Sequence, residues 1–304
     1  MSTQGLLELY EAQLKRSHRK SKRRVSEIAK YLEFCDQSGG CGINSQSLKK
    51  WMQVRADTLS EQTRAKLHNQ VSMFAKWANV VDEEIQLIPK YGRVRVQRRK
   101  PVILRPNQVH EISVNLNNRG SKRNITPKTC AVITNLLFVT GLRIGELLAL
   151  KRSSIDFKDR SIYVPGGKGP KDRVVPFSES TGKAIFKYLE WKKEVRPDAE
   201  QFFIFDNESI KNPYFLFRKF FNEITEILGY RNHILEGRRC LRIHDLRHSF
   251  AVYSLIQIYK NDVDVNETIV QLSAILGHSK LAHTYWYIES VPELSVAAFE
   301  RLDT

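Results

Sequence analysis

The segment LGHSKLAHTYWYIES, residues 276–290, holds the side chains best suited to chemistry in this sequence. His278 is followed nine residues later by Tyr287. In one unbroken helix of about 3.6 residues per turn the two would face opposite sides, so a shared site requires a backbone turn between them. Gly277 and Ser279 are residue types that let one helix end and another begin. A tyrosine hydroxyl, with an ordinary pKa near ~10, needs a nearby base and positive charge to act as a nucleophile.

Two other segments offer that positive charge. In TGLRIGELLALK, Gly141 suits a helix end, Arg143 follows two residues later and Glu146 lies one turn beyond. In IHDLRHSF, His244 and Arg247 are three residues apart and therefore share one face of a helix. Guanidinium groups match the geometry of phosphate oxygens and keep their charge at all physiological pH values. These motifs could therefore supply the positive charge that the tyrosine needs.

A glycine-rich turn predicts a third component of the site. The segment IDFKDRSIYVPGGKGPKDRVVPF, residues 155–177, alternates apolar and polar residues on both sides of three glycines. This pattern predicts a hairpin of a small antiparallel sheet with Lys168 and Lys171 at its tip. Lys168 lies within the GKG pattern, and Lys171 is the second candidate.

Each of these residues also has an ordinary structural explanation. Arg143 could pair with Glu146 on the surface, His244 could cap a helix or lie in the core, and Tyr287 could simply be a core residue. Glycine-rich turns are over-interpreted as phosphate loops. The occurrence of all these residues together in a strongly basic chain is what favours a functional site.

The composition is that of a globular protein with a large positive charge. The 304 residues are 41% hydrophobic and 27% charged, which suits two domains with their own cores. The formal net charge is +16, and residues 1–100 contribute +10 of it, with 20 Lys and Arg against 10 Asp and Glu. This balance indicates a polyanionic partner, nucleic acid before membrane.

The sequence does not favour a membrane-spanning, secreted or zinc-binding protein. Its apolar runs are shorter than the ~20 residues of a membrane span. The start, MSTQGLLELYEAQ, lacks the basic and apolar regions of a signal peptide. Cys35, Cys41, Cys130 and Cys240 form no CxxC pair, so we interpret them as reduced and structural. We therefore expect an intracellular protein without a metal site.

The first third of the chain combines helices with basic runs. Residues 6–36 predict one or two helices around the run KRSHRKSKRR (15–24), and two further helices follow it. The segment 90–106 has seven basic residues, no acidic ones and two prolines, which is typical of an extended linker. Such a charge density favours phosphate contact over a solvated face. The candidate DNA-binding residues are Lys15, Arg16, Arg19, Lys20, Arg23, Arg24, Arg93, Arg95, Arg98 and Arg99.

These patterns predict a mainly α-helical fold with a small antiparallel β-sheet. Residues 1–89 form a helical bundle of about four helices, residues 90–106 a basic linker, and residues 107–304 an α+β domain that carries the chemistry. A short amphipathic helix, 292–302, is predicted at the end of the sequence.

Six residues in these motifs resemble the active-site set of the tyrosine recombinases, also called the phage integrase family. The matching motifs are TGLRIGELLAL, GGKGPKDRVVPF, IHDLRHSF and LGHSKLAHTYWY, in the family's order and with similar intervals. The resemblance covers essentially the whole chain and is greatest to Xer-like, two-domain members. It implies a core-DNA-binding bundle followed by a catalytic domain. The six residues are Arg143, Lys168, His244, Arg247, His278 and Tyr287.

The resemblance implies a role for each residue. Tyr287 would form a 3′-phosphotyrosyl ester by in-line displacement, while Arg143 and Arg247 would bind the non-bridging oxygens. The other three roles would be proton transfer from the tyrosine (His244), protonation of the leaving 5′ oxygen (Lys168) and a hydrogen bond to the scissile phosphate (His278). Neither a metal nor another cofactor is required, because the arginines do the work of divalent ions.

The same resemblance implies an assembly. We expect a homo-tetramer on double-stranded DNA with paired recognition half-sites, in which the helix 292–302 passes to a neighbouring subunit. Accessory recombination factors are compatible with this arrangement. A cytoplasmic, nucleoid-associated location follows from a DNA substrate, and a mobile element is one of the hosts to consider.

Several alternatives stay open at this point. The chain could be a type IB topoisomerase-like enzyme, or a non-catalytic sequence-specific DNA-binding protein that kept the fold. Tyr285 is the alternative nucleophile, because it lies only two residues from Tyr287. Glu146 and His248 match family positions that we interpret as structural.

Overall fold

The protein consists of two compact units, Met1–Arg98 and Arg99–Thr304, which are described separately. The computed structural model describes residues 2–17, 22–39, 42–92, 94, 100–121, 124–166, 172–206, 212–231, 240–260 and 264–290. The predicted hairpin tip and the predicted helix 292–302 lie outside these residues.

In its described part, the first unit is a helical bundle, as the sequence predicts. Its helices are α1 (Thr3–Arg16), α2 (Lys22–Gln37), α3 (Ser45–Val54) and α4 (Glu61–Val81). Side chains of Ser2, Asn44 and Ser60 accept backbone N–H bonds at the starts of α1, α3 and α4. The helices bury one shared apolar core, in which the ring of Tyr10 lies edge-on to Phe74 with 5.1 Å between centroids.

The basic run 15–24 lies at the junction of α1 and α2. Lys15 and Arg16 are exposed at the end of α1, where positive charge also favours the helix dipole. Arg23 is exposed and Arg24 half-buried in the first turn of α2. The described arginines and lysines of the run are therefore divided between the end of α1 and the start of α2.

In its described residues, the second unit is mainly helical with one small sheet, and the predicted fold class is confirmed. Its helices are α5 (Pro106–Arg119), α6 (Thr126–Thr140), α7 (Ile144–Leu148), α8 (Glu179–Val195), α9 (Pro213–Ile227), α10 (Ile243–Lys260), α11 (Val265–Leu276) and α12 (Ala282–Ser290). Its strands are β1 (Ile155–Asp156), β2 (Ser161–Val164) and β3 (Arg173–Pro176).

The sheet is antiparallel in the order β1-β2-β3. Ile162 of β2 pairs with Ile155 on one side and Val175 on the other, and all three side chains are buried. The pairing of Val164 with Arg173 closes the described end of the β2–β3 hairpin. Arg173 thus stands where the predicted tip rejoins the sheet.

Helix α6 lies at the centre of the second unit. It packs against α5, α8, α9 and α10, and apolar or small residues occupy most of its faces. A proline at its start and a glycine directly after its last turn set its limits. Across the described residues, no helix combines the length and apolar character needed to span a bilayer.

Candidate active site

Two helix ends form the base of the candidate site. Gly141 caps the end of α6 and Gly277 caps the end of α11, both with φ of +62°, a conformation that glycine adopts without strain. A Cβ on Gly141 would lie only 2.3 Å from the Phe250 ring, so glycine is also required there for space. After Gly277, the His278 N–H donates back to the Ser273 carbonyl at 3.0 Å. The helix α11 therefore stops at this turn, and the tyrosine is carried by a separate helix, α12.

Arg247 joins these two helix ends. Its side chain is 2% exposed, and Nη1 donates to the Gly141 carbonyl at 2.6 Å while Nη2 donates to the Leu276 carbonyl. Carbonyls at helix C-termini carry partial negative charge, which favours a cation there. Burial and then the nearby charge of Arg143 lower the pKa of Arg247 to about 10, so it stays protonated at neutral pH.

Arg143 is held by a carboxylate and a carbonyl. Its Nη1 donates to Glu146 Oε1 at 2.8 Å, and its Nη2 donates to the Gly277 carbonyl at 2.8 Å. Glu146 also accepts two bonds from Arg173, at 3.1 and 2.6 Å. Burial acts to raise the pKa of Glu146, but the hydrogen bonds from Arg173 and Arg143 bring it down to about 2. The Arg143 side chain remains 41% exposed and can therefore be reached by a ligand.

The hydroxyl of Tyr287 points into the protein. The residue is 2% exposed, and its Oη lies 2.7 Å from Nδ1 of His248 on α10. Burial raises the pKa of Tyr287 to about 12, although the charge of Arg247 acts to lower it. Burial also lowers the pKa of His248 to about 3, with a further contribution from His244. Both hydrogen-bonding partners are therefore neutral at pH 7.

His278 and His244 lie beside this pair. Nδ1 of His278 is 2.9 Å from the buried hydroxyl of Thr284, and its ring is parallel to that of Tyr287 at 6.4 Å. Burial and the charge of Arg247 lower the pKa of His278 to about 3. The His244 ring is exposed and lies edge-on to the His248 ring, with 4.6 Å between the ring centroids. Desolvation by the surrounding protein, together with the charge of Arg247, lowers the pKa of His244 to about 4.

The structure brings together five of the six residues singled out from sequence. They are Arg143, His244, Arg247, His278 and Tyr287, while Lys168 and its alternative Lys171 lie outside the described residues. Tyr285, the alternative nucleophile, is 40% exposed on the same helix as Tyr287. Within the described ranges, no cluster of three or more His, Cys, Asp or Glu is arranged to hold a metal ion.

The candidate DNA-binding residues belong to the first unit and to the junction between the units. Lys15, Arg16, Arg23 and Arg24 occupy the positions given above at the ends of α1 and α2. The remaining ones, Arg19, Lys20, Arg93, Arg95, Arg98 and Arg99, lie outside the described residues.

Sequence reasoning misses the partners of the central groups. It gives His248 a structural role, yet this residue contacts the Tyr287 hydroxyl, and it does not single out Arg173, which binds Glu146. The signal for His248 is its spacing of four residues from His244, which places both rings on one face of α10. For Arg173 and Thr284 the sequence carries no comparable signal, because their partners are brought close only by folding.

Two half-buried histidines, His248 and His278, lead us to predict that the second unit is sensitive to acid. The pKa of each histidine is lower in the folded protein than the value of about 6.5 in the unfolded chain, so the unfolded chain binds more protons. The free energy of unfolding therefore falls as the pH drops from about 6.5 toward 3. At pH 5 the loss is up to roughly 2 kcal/mol each for His248 and His278. Glu146 affects stability in a lower pH range. Its pKa in the folded protein is about 2, so the stability that its carboxylate contributes is lost only as the pH falls from about 4.5 to 2.

Thermal unfolding at pH 7 and pH 5 checks this prediction. We expect the double variant His248→Asn, His278→Asn to lose less stability between these pH values than the unaltered protein. The exposed His110, replaced by Asn, is the matched control and should leave the pH difference unchanged. Equal pH differences in all three proteins would contradict the prediction.

Comparison with known proteins links this chain to one family. A model described as the phage integrase family matches residues 103–293. A putative integrase/recombinase, y4rB of Sinorhizobium fredii, is 26% identical over 94% of this chain and 91% of its own length. Tyrosine recombinase XerA of Thermococcus onnurineus is 31% identical over 69% of this chain and 70% of its own.

Solved structures agree on the fold. The Tn1549 transposon integrase in complex with a circular intermediate DNA superposes with a TM-score of 0.61 over 98% of this chain and 99% of that one. The sequence identity is 19%, so this likeness concerns the fold.

Proposed function

Because this chain belongs to the phage integrase family and is a site-specific recombinase of the tyrosine type, we propose that it cuts and rejoins DNA through a 3′-phosphotyrosyl intermediate on Tyr287. The observation that carries the proposal is the grouping of a tyrosine with two arginines and three histidines around the ends of α6 and α11. No ATP is required, because the covalent ester conserves the energy of the broken phosphodiester bond.

The proposed reaction is an in-line displacement at phosphorus. The Tyr287 oxygen forms a bond to phosphorus, the bond to the 5′ oxygen breaks, and the tyrosine proton is transferred to a base. Lys168 supplies the proton that the leaving 5′ oxygen takes up. Rejoining runs the same steps in reverse, with the 5′ hydroxyl as the nucleophile.

Two arginines supply the charge that this reaction needs. Arg143 and Arg247 would bind the non-bridging oxygens, on which charge grows in the transition state. Arg247 is 2% exposed and donates to the backbone carbonyls of two helix ends, so its contact with the phosphate would require this part of the site to open. This preorganised positive charge supports a reaction that proceeds without a metal ion.

The inward position of Tyr287 implies a conformational step before cleavage. In-line attack requires the Tyr287 oxygen to lie within about 3–3.5 Å of phosphorus. In this structure the oxygen is instead hydrogen-bonded to His248. Proton transfer within this pair is unfavourable, because the tyrosine pKa is about 12 and the histidine pKa about 3. The proposal therefore includes opening of this contact when DNA is bound, with His244 as the predicted proton acceptor.

The test is a cleavage assay on DNA taken from the region flanking the gene. That DNA is searched for paired inverted repeats of roughly ten base pairs, about one helical turn, which a dimer could span. A nicked duplex carrying the repeats traps the covalent complex, and we expect a 3′-linked protein–DNA adduct in the presence of EDTA. Loss of the adduct in EDTA would contradict the metal-free reaction. Relaxation of plasmids that lack any repeat would indicate topoisomerase activity instead.

DNA binding is proposed to depend on the basic residues of the first unit and the linker. We expect neutralisation of Arg95, Arg98 and Arg99 to flatten the slope of log K against log salt, by up to ~0.9 per lost phosphate contact. As a control, Lys158, Lys183 and Lys193 are exposed on the second unit and carry the same total charge. Neutralising them should change the slope less. An unchanged slope in the linker variant would mean that the linker is only solvated.

Assembly is proposed to be a tetramer on two DNA sites, with the segment 292–302 donated to a neighbouring subunit. Leu294, Phe299 and Leu302 belong to the apolar stripe of this segment. We expect deletion of residues 292–304 to preserve binding of one subunit to a half-site but to weaken occupancy of the full site and pairing of two sites. Gel-shift titration on half and full sites measures both effects. Normal assembly of the shortened protein would contradict the proposal.

A further inference from the structure

Arg173 makes contacts that are unusual for a residue outside the predicted catalytic set. Its side chain is 11% exposed at the start of β3. Its two Nη atoms donate to both oxygens of Glu146, at 3.1 and 2.6 Å, and its Nε donates to the Ile275 carbonyl at 2.8 Å. One guanidinium therefore connects the sheet to α7 and to the last turn of α11.

The same guanidinium packs against the turn that precedes His278. A Cβ on Gly277 would be 3.0 Å from the Arg173 guanidinium carbon. The carbonyl of Gly277 accepts the hydrogen bond from Arg143 Nη2 at 2.8 Å. The position of this turn thus affects both Arg143 and His278, and Arg173 packs directly on it.

The charges around Glu146 give Arg173 a second effect. Arg143 and Arg173 share this one carboxylate, so the group of three carries a net positive charge. Without Arg173, the carboxylate would neutralise Arg143 alone and would lose the bidentate contact that orients it. The Glu146 carboxylate would still attract Arg143 and would then compete with a phosphate for its guanidinium.

We propose that Arg173 is a positioning residue for Arg143: it holds Glu146 and the Gly277 turn in place, so that Arg143 stays oriented for the scissile phosphate and is not the only partner of the carboxylate. This inference rests on the proposed function, in which Arg143 binds that phosphate. Arg173 itself acts through Glu146 and does not need to contact DNA.

The test is a pair of changes measured together. We expect Arg173→Met to slow single-turnover cleavage of the nicked duplex about tenfold or more, with DNA affinity within about twofold of the unaltered protein. Adding Glu146→Gln to this variant should restore part of the rate, because it removes the uncompensated carboxylate. Glu146→Gln alone should slow cleavage. If Arg173 had only a structural role, the rate losses of the two single variants should add in the double variant, with no restoration of the cleavage rate. That result would overturn the inference.

Two further variants protect the test against misfolding. Arg173→Lys keeps the charge but not the bidentate fork, and should give an intermediate rate. Arg119→Met removes another ion pair of the same unit, Arg119–Glu223 at 3.1 Å, and should cleave at the unaltered rate. If Arg173→Lys cleaves as slowly as Arg173→Met while both remain folded by circular dichroism, the positive charge of Arg173 does not support cleavage, and that part of the inference is wrong.

Hydrogen exchange separates this inference from the proposed function. The His278 N–H is bonded to the Ser273 carbonyl, so its exchange reports the Gly277 turn. We expect faster exchange in Arg173→Met and no change in Arg119→Met. If the unaltered protein forms no DNA adduct, the proposed recombinase chemistry is wrong. If exchange of the His278 N–H is unchanged in Arg173→Met, the role inferred for Arg173 is wrong.

Discussion

Replacing Tyr287 by phenylalanine is expected to abolish the covalent protein–DNA adduct while leaving DNA binding nearly unchanged. The phenyl ring keeps its place among the buried side chains Ala251, Val252, Leu255, Ile269, Leu272 and Leu276. Only the hydroxyl is lost, together with its bond to His248, at a cost of roughly 1 kcal/mol in folding free energy. Denaturing gels on the nicked duplex measure the adduct, and gel-shift titration measures binding.

Tyr285→Phe is the matched control for this prediction. Tyr285 lies on the same helix but is 40% exposed. We expect this variant to form the adduct at the unaltered rate. Adduct formation by Tyr287→Phe together with its loss in Tyr285→Phe would reassign the nucleophile to Tyr285. Loss of DNA binding in Tyr287→Phe would mean instead that the hydroxyl supports the fold of the site.

Replacing Arg143 or Arg247 by alanine is expected to slow cleavage far more than it weakens binding. Removing one preorganised donor to a developing oxyanion costs roughly 3 kcal/mol or more, equivalent to about a hundredfold in rate. DNA affinity should fall much less, because many other phosphate contacts remain. Single-turnover rates at saturating protein, compared with dissociation constants, separate the two effects. Equal losses in rate and affinity would identify these arginines as ordinary binding residues.

The structure predicts that the two arginine variants differ in stability. Arg143 is 41% exposed, so Arg143→Ala should unfold at nearly the unaltered temperature. Arg247→Ala leaves two buried helix-end carbonyls without their donor, which costs roughly 1–3 kcal/mol for each group. Arg247→Lys keeps the charge but lacks the fork that binds both carbonyls, so its stability should fall between that of Arg247→Ala and that of the unaltered protein. A similar unfolding temperature for both alanine variants would contradict this account of Arg247.

The sequence determined the architecture through local rules. Apolar periodicity predicted the helices of both units, and alternation around a glycine-rich turn predicted the antiparallel hairpin. Gly141 and Gly277 marked helix ends because a left-handed residue is needed there, and glycine has no Cβ to oppose it. These features depend on near neighbours in the chain, which is why the sequence alone is enough to predict them.

The residue types of the site were also predictable. Arginines suit phosphate, and a tyrosine near histidines suits nucleophilic chemistry, so residue type and spacing were enough to identify the motifs. The spacing of His244 and Arg247 placed them on one helical face, and both lie in the first turns of α10. The turn required between His278 and Tyr287 is made by the break between α11 and α12.

Only the tertiary structure decided which groups touch. Arg247 binds carbonyls 106 and 29 residues away, Arg173 reaches a carboxylate 27 residues away, and Tyr287 meets a histidine 39 residues away. Each side chain has several chemically equivalent partners in the sequence, and the packing of α6, α10 and α11 selects among them. Burial then sets the charge states, because excluding water keeps the histidines and the tyrosine neutral. The sequence could name Tyr287 as a nucleophile, but the inward contact of its hydroxyl with His248 depends on that packing.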